Sequence, residues 1–78
     1  MTKLQVLGSG CAKCATLALH ADVAAKSLGL EYELEKVTDL NAIIDAGVMS
    51  TPALAIDGEV VSTGRVLSVE EIKRMLST

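Results

Sequence analysis

Seventy-eight residues, half of them hydrophobic, with no Phe, no Trp and one Tyr, leave room for a single domain, residues 1–78, built on an aliphatic core. The formal net charge is −3 and the seven Lys and Arg residues are scattered, so the basic patch needed for nucleic acid or an anionic membrane surface is missing. No apolar run approaches the roughly 20 residues of a membrane span.

Residues 3–7 read as a first strand. A helix is predicted over residues 12–28, because Leu17, Ala21, Ala24 and Leu28 recur at helical spacing and Gly29 is a natural stop. The stretch LEYELEK alternates, with Leu30, Tyr32 and Leu34 on one face and Glu31, Glu33 and Glu35 on the other. That pattern predicts a half-exposed edge strand. Thr38 or Asp39 caps a short second helix whose apolar face is Leu40, Ile43 and Ile44, ending at Ala46-Gly47. After Pro52, the almost wholly apolar run 53–56 predicts a strand covered on both faces. Asp57-Gly58 is a hairpin turn leading into a strand over residues 59–62, broken by Thr63 and Gly64. Ser68 and Glu71 form a capping box for a last helix running to about Leu76. The order is β-α-β-α-β-β-α: an α/β domain with two parallel strands, then an antiparallel hairpin, in one mixed sheet. A heavy-metal-associated domain also carries a Cys pair at its first strand-to-helix corner, but it runs β-α-β-β-α-β. The strand pattern begins at the start of the chain, so no signal peptide is expected, and the expected location is cytoplasmic.

Cys11 and Cys14 are the only cysteines, three residues apart where the first strand hands over to the first helix. Residues i and i+3 share a helix face, and a Cα separation of about 5 Å permits a disulfide. Three chemistries compete. A structural staple closing a loop of about four residues contributes only ~2 kcal/mol and is disfavoured where thiols are kept reduced. A zinc clip needs four ligands, and His20, six positions after Cys14, lies about 120° off the cysteine face. A two-coordinate thiolate site for a soft ion such as Cu(I) remains, which would make the chain a soft-metal carrier. A redox switch needs an activated thiolate and a second thiol that resolves a mixed disulfide. Cys11 at a helix N-terminus would face unpaired N–H groups, which lowers a thiol pKa from about 8.5, and Lys13 adds a positive charge nearby. Gly8 and Gly10 let the chain turn tightly and keep Cys11 approachable. They also begin a dinucleotide fingerprint, but Lys13 occupies its third glycine position.

A second feature stands about forty residues on: Ser50-Thr51-Pro52, directly before the apolar strand. With VLGSGCAKC, GVMSTPALAIDGEVV and GRVLSVEEIKRML, the chain resembles the thioredoxin superfamily over nearly its whole length. It is most similar to the small thioredoxin-like redox-active disulfide proteins of archaea and bacteria. The resemblance implies a minimal thioredoxin fold, a four-stranded mixed sheet flanked by three helices. It implies a protein-disulfide reductase in which Cys11 is the nucleophile and Cys14 the resolving thiol. Pro52 would be cis and face the pair, Thr51 would offer backbone groups to an extended substrate, and Gly64 would keep the cleft open. Gly10, Ala12 and Lys13 would modulate the pair. Ala12-Lys13 departs from the Gly-Pro and Pro-Tyr dipeptides of ordinary thioredoxins and many glutaredoxins, so no reduction potential carries over. The glycine-pair-plus-Asp pattern that holds glutathione has no match, nor does the buried proton-relay acid. The implied partners are a disulfide reductase as electron donor and protein disulfides as substrates, with a monomeric chain, no bound cofactor and no metal.

Overall fold

The computed structural model describes residues 2–8 and 12–77. In chain order its elements are β1 (Thr2–Leu7), α1 (Ala12–Ser27), β2 (Tyr32–Val37), α2 (Leu40–Asp45), β3 (Ala53–Ile56), β4 (Glu59–Thr63) and α3 (Val69–Leu76). The four strands form one mixed sheet in the order β2-β1-β3-β4. β1 runs parallel to β2 and antiparallel to β3, and β3 pairs antiparallel with β4. This is the β-α-β-α-β-β-α order that the sequence pattern predicts, in the four-stranded mixed sheet that the resemblance implied.

Period-2 alternation divides the core between the two faces of the sheet. Leu4 and Val6 of β1 join Leu54 of β3 on the face covered by α1 and α3, with Tyr32, Leu34 and Ile56 packed at the margin. Leu7, Ala53 and Ala55 join Ile43 of α2 and Val48 on the other face. β3 is therefore covered on both sides, as its unbroken apolar run predicts. β2 lies at an edge with Glu31, Glu33 and Glu35 exposed. A row of unpaired backbone groups there is shielded from further pairing by charge.

α1 buries Cys14, Leu17, Ala18, Ala21, Ala24 and Ala25. Its stripe is rich in alanine, so the helix approaches the sheet and α3 closely without aromatic side chains. Leu28, expected on that stripe, lies beyond the helix end and is partly exposed, because the chain turns out of the helix at Gly29. Asp39 rather than Thr38 caps α2, accepting from the Asn41 amide at 3.0 Å. Asp57 and Gly58 carry the hairpin turn with φ of 51° and 87°, the left-handed conformation that such two-residue turns require. Thr63 belongs to β4, one residue further than the sequence pattern indicated. The Ser68–Glu71 capping box is formed at the start of α3.

A polar cluster ties α1 to β2. The Tyr32 hydroxyl donates to the Asp22 carboxylate, and Lys26 pairs with Asp22 at 3.1 Å. The Tyr32 hydrogen bond, with Lys26 second, holds the Asp22 carboxyl below the ordinary carboxylate range. The same bond, reinforced by desolvation, pushes the Tyr32 phenol up. A depressed acid stabilises the fold above its unfolded pKa of about 4 and loses that contribution as pH falls through its folded value. A raised phenol stabilises the fold below its unfolded pKa of about 10 and loses that contribution as pH rises through its folded value. Tyr32→Phe is therefore expected to lower Tm by a similar amount from about pH 5 to pH 9, with the deficit shrinking outside that window. A thermal-melt series across pH checks this; a deficit that persists undiminished at pH 3 would show that the hydroxyl stabilises the fold by some means other than its bond to the ionised Asp22 carboxylate.

Candidate active site

Strand register assembles the site. Leu7, the last residue of β1, pairs with Ala53, the first of β3, and Ala53 pairs in turn with Thr63, the last of β4. The segments just beyond those three residues must then meet at one end of the sheet: Gly8 after β1, Thr51-Pro52 before β3, and Gly64 after β4. Two backbone hydrogen bonds hold them, Gly8 N–H to the Val37 carbonyl at 2.9 Å and Gly64 N–H to the Pro52 carbonyl at 2.9 Å. The Thr51–Pro52 peptide bond is cis. Pro52 is buried and Thr51 is exposed.

Cys14 sits one turn into α1 and is buried, with 6% of its surface exposed. Its sulfur lies against the backbone of Gly8: a methyl group added at Gly8 would overlap Cys14 Sγ and come within 3.7 Å of Thr51 Cβ. Cys14 and Thr51 thus close on the same point at the end of β1. Ala12 and Lys13 occupy the exposed first turn of α1. Cys11 and Gly10, the predicted nucleophile and its glycine neighbour, lie outside the described residues. Gly64 has φ of 69°, and a side chain there would stand 3.1 Å from Ser50 Cβ. Gly64 therefore supports the segment leading to Pro52.

Two other residues have partners away from the site. His20 is half-buried, and its Nδ1 lies 2.8 Å from the Leu67 carbonyl, which ties α1 to the segment before α3. Arg65 pairs with Glu71 at 3.1 Å. Among the described residues no three His, Cys, Asp or Glu side chains converge on one point.

Sequence reasoning missed the surface beside the site. An open groove of about 570 Å³ runs between α2 and the segment before Pro52, lined by Leu40, Ile43, Ile44, Val48, Met49 and Thr51. Of the three α2 residues assigned to a buried face, only Ile43 is buried; Leu40 and Ile44 are 67% and 60% exposed. The three share a face of the six-residue helix, but no part of the fold covers Leu40 and Ile44. Met49, 97% exposed and three residues before Pro52, is the one sequence signal that could have pointed to an apolar surface there.

A family model described as a thioredoxin domain matches residues 2–77. A protein named thioredoxin from Methanothermobacter thermautotrophicus is 47% identical over 77 residues, covering 99% of this chain and 100% of that one. Another of the same name, from Methanocaldococcus jannaschii, is 38% identical over 78 residues, covering 100% of this chain and 90% of that one.

Proposed function

The chain belongs to the thioredoxin family, and we propose that it is a single-domain dithiol–disulfide exchanger that reduces protein disulfides through Cys11 and Cys14. The observation that carries this reading is the register of β1, β3 and β4, which brings Cys14, Thr51, Pro52 and Gly64 together at one end of the sheet. Its chemistry balances with no bound cofactor. The Cys11 thiolate attacks one sulfur of a substrate disulfide, forming a mixed disulfide and expelling the other substrate sulfur as a thiolate. The Cys14 thiolate then attacks the Cys11 sulfur, closing the Cys11–Cys14 disulfide and expelling the second substrate thiolate. Two electrons pass to the substrate, whose two sulfurs take up two protons. A cytoplasmic disulfide reductase returns the pair to the dithiol.

The remaining site residues fit around these steps. Thr51, exposed beside the sulfur slot, offers backbone groups to an extended substrate segment, a mode of recognition tolerant of side-chain sequence. Gly64 keeps the approach free of a side chain. Lys13, exposed in the first turn of α1, brings positive charge to the thiolate end of the helix, and Ala12 leaves that turn unobstructed. The chain acts as a monomer.

The testing experiment supplies the oxidised protein with a reductase or a small dithiol and follows reduction of a disulfide-bonded model protein. Turnover above that of the dithiol alone is expected, and its absence would refute the reading. Brief iodoacetamide treatment of the reduced protein near pH 7, followed by mass mapping, is expected to label Cys11 at least ~10-fold faster than Cys14, because a thiol reacts as an exposed thiolate. Equal labelling would remove the assignment of nucleophile and resolver.

A further inference from the structure

We propose that Gly8 is a positioning residue for the Cys14 sulfur: its missing side chain is the slot in which that sulfur sits for the resolving step. The inference rests on the dithiol reading above for its consequence in turnover, and on geometry alone for the slot itself.

Gly8 differs from every other described glycine. Gly29, Gly47, Gly58 and Gly64 all have positive φ, and only Gly64 has any atom near enough to crowd an added side chain. Those residues are glycines chiefly because of the backbone conformation they adopt. Gly8 has no positive φ, so its backbone accepts an L-residue; what excludes one is Cys14. An added methyl carbon would overlap Cys14 Sγ, stand 3.5 Å from Cys14 Cβ and 3.7 Å from Thr51 Cβ. Gly8 cannot simply retreat. Its amide is bonded to the Val37 carbonyl at 2.9 Å, and the preceding residue is paired with both Val37 of β2 and Ala53 of β3. The yielding partner must be the Cys14 side chain, which would leave its place against the strand end.

The consequence falls on one of the two exchange steps. Attack by Cys11 on a substrate disulfide makes and breaks no bond at Cys14. Resolution requires the Cys14 sulfur to meet the Cys11 sulfur in line, and a displacement of about 1 Å in such a step can cost roughly 100-fold in rate. Gly8→Ala should therefore split the two rates.

A symmetric aryl disulfide separates them, since the first chromophoric thiol released reports attack and the second reports resolution. At a temperature where both proteins are folded, Gly8→Ala is expected to leave the first release within about 3-fold of the unaltered protein and to slow the second roughly 10- to 100-fold. Equal slowing of both, or of neither, would overturn the proposal. A thermal cycle tests the slot without any turnover. Gly8→Ala should lower Tm by roughly 5–15 °C in the native background, as overpacking of a small domain does. In a Cys14→Ala background, where the sulfur is gone, the loss should fall to less than about a third of that. The same Tm loss in both backgrounds would place the need for glycine in the backbone and end the inference. If the unaltered protein releases neither thiol, the exchanger reading fails, and the thermal cycle still decides whether Gly8 holds Cys14.

Discussion

Cys14→Ser is expected to turn the protein from an exchanger into a trap. The serine hydroxyl cannot attack the Cys11 sulfur, so each molecule that reacts with a substrate disulfide stays linked to it. Steady-state reduction of a protein disulfide should drop to background, while a disulfide-linked adduct through Cys11 accumulates toward one equivalent and is released by added dithiol. Cys11→Ser should abolish both turnover and adduct, because Cys14 is buried against Gly8 and offers an incoming disulfide no in-line approach. The two single mutants thus differ in kind, and gel mobility without reductant reads the difference. Equal trapping by both would reverse the proposed direction of attack. The soft-metal alternative has its own outcome in the same preparation. A full equivalent of zinc or copper held through purification, protecting both thiols from alkylation, would replace the redox reading with a carrier.

How far the sequence disclosed this arrangement depends on the range over which each feature is determined. Strand and helix order followed from local period: the alternation around Tyr32, the apolar run after Pro52, the Asp57-Gly58 turn and the Ser68–Glu71 box are each written within a few residues. The convergence of Thr51, Pro52 and Gly64 is a matter of register between strands distant in sequence, and only the resemblance gave it in advance. The role of Gly8 was not readable. Its neighbours in sequence suggest a tight turn, whereas its actual constraint is a sulfur six residues on that the first turn of α1 swings back against the strand end. His20 was likewise invisible as a tether, because its partner is the carbonyl of Leu67, 47 positions away. The face of α2 was misjudged for a different reason. Apolar spacing establishes that residues share a helix face, but not that a covering surface exists for all of them.

That last difference sets up a comparison of two leucines with identical chemistry. Leu54 lies at the centre of β3 with none of its surface exposed, paired with Val6 and Ser62 and packed among the residues under α1 and α3. Leu54→Ala removes three buried carbons from a layer anchored on both sides by strand pairing, so the surrounding structure has little freedom to collapse into the space. The expected loss is about 2–5 kcal/mol, against a total that for a domain of this size is roughly 5–10 kcal/mol. Tm should fall by roughly 10–30 °C. Leu40 is 67% exposed on α2, and Leu40→Ala should change stability by no more than about 0.5 kcal/mol. Urea titrations of the two variants decide it: a large drop in midpoint at unchanged slope for Leu54→Ala, and near coincidence with the unaltered protein for Leu40→Ala. Comparable losses would mean that α2 buries Leu40 in solution and that the groove beside Thr51 is closed. Function should follow the same division. Leu54→Ala loosens the strand that carries Thr51 and Pro52 at its start, so its exchange activity should decline with the folded fraction as temperature rises. Leu40→Ala should keep the thermal profile of the unaltered protein.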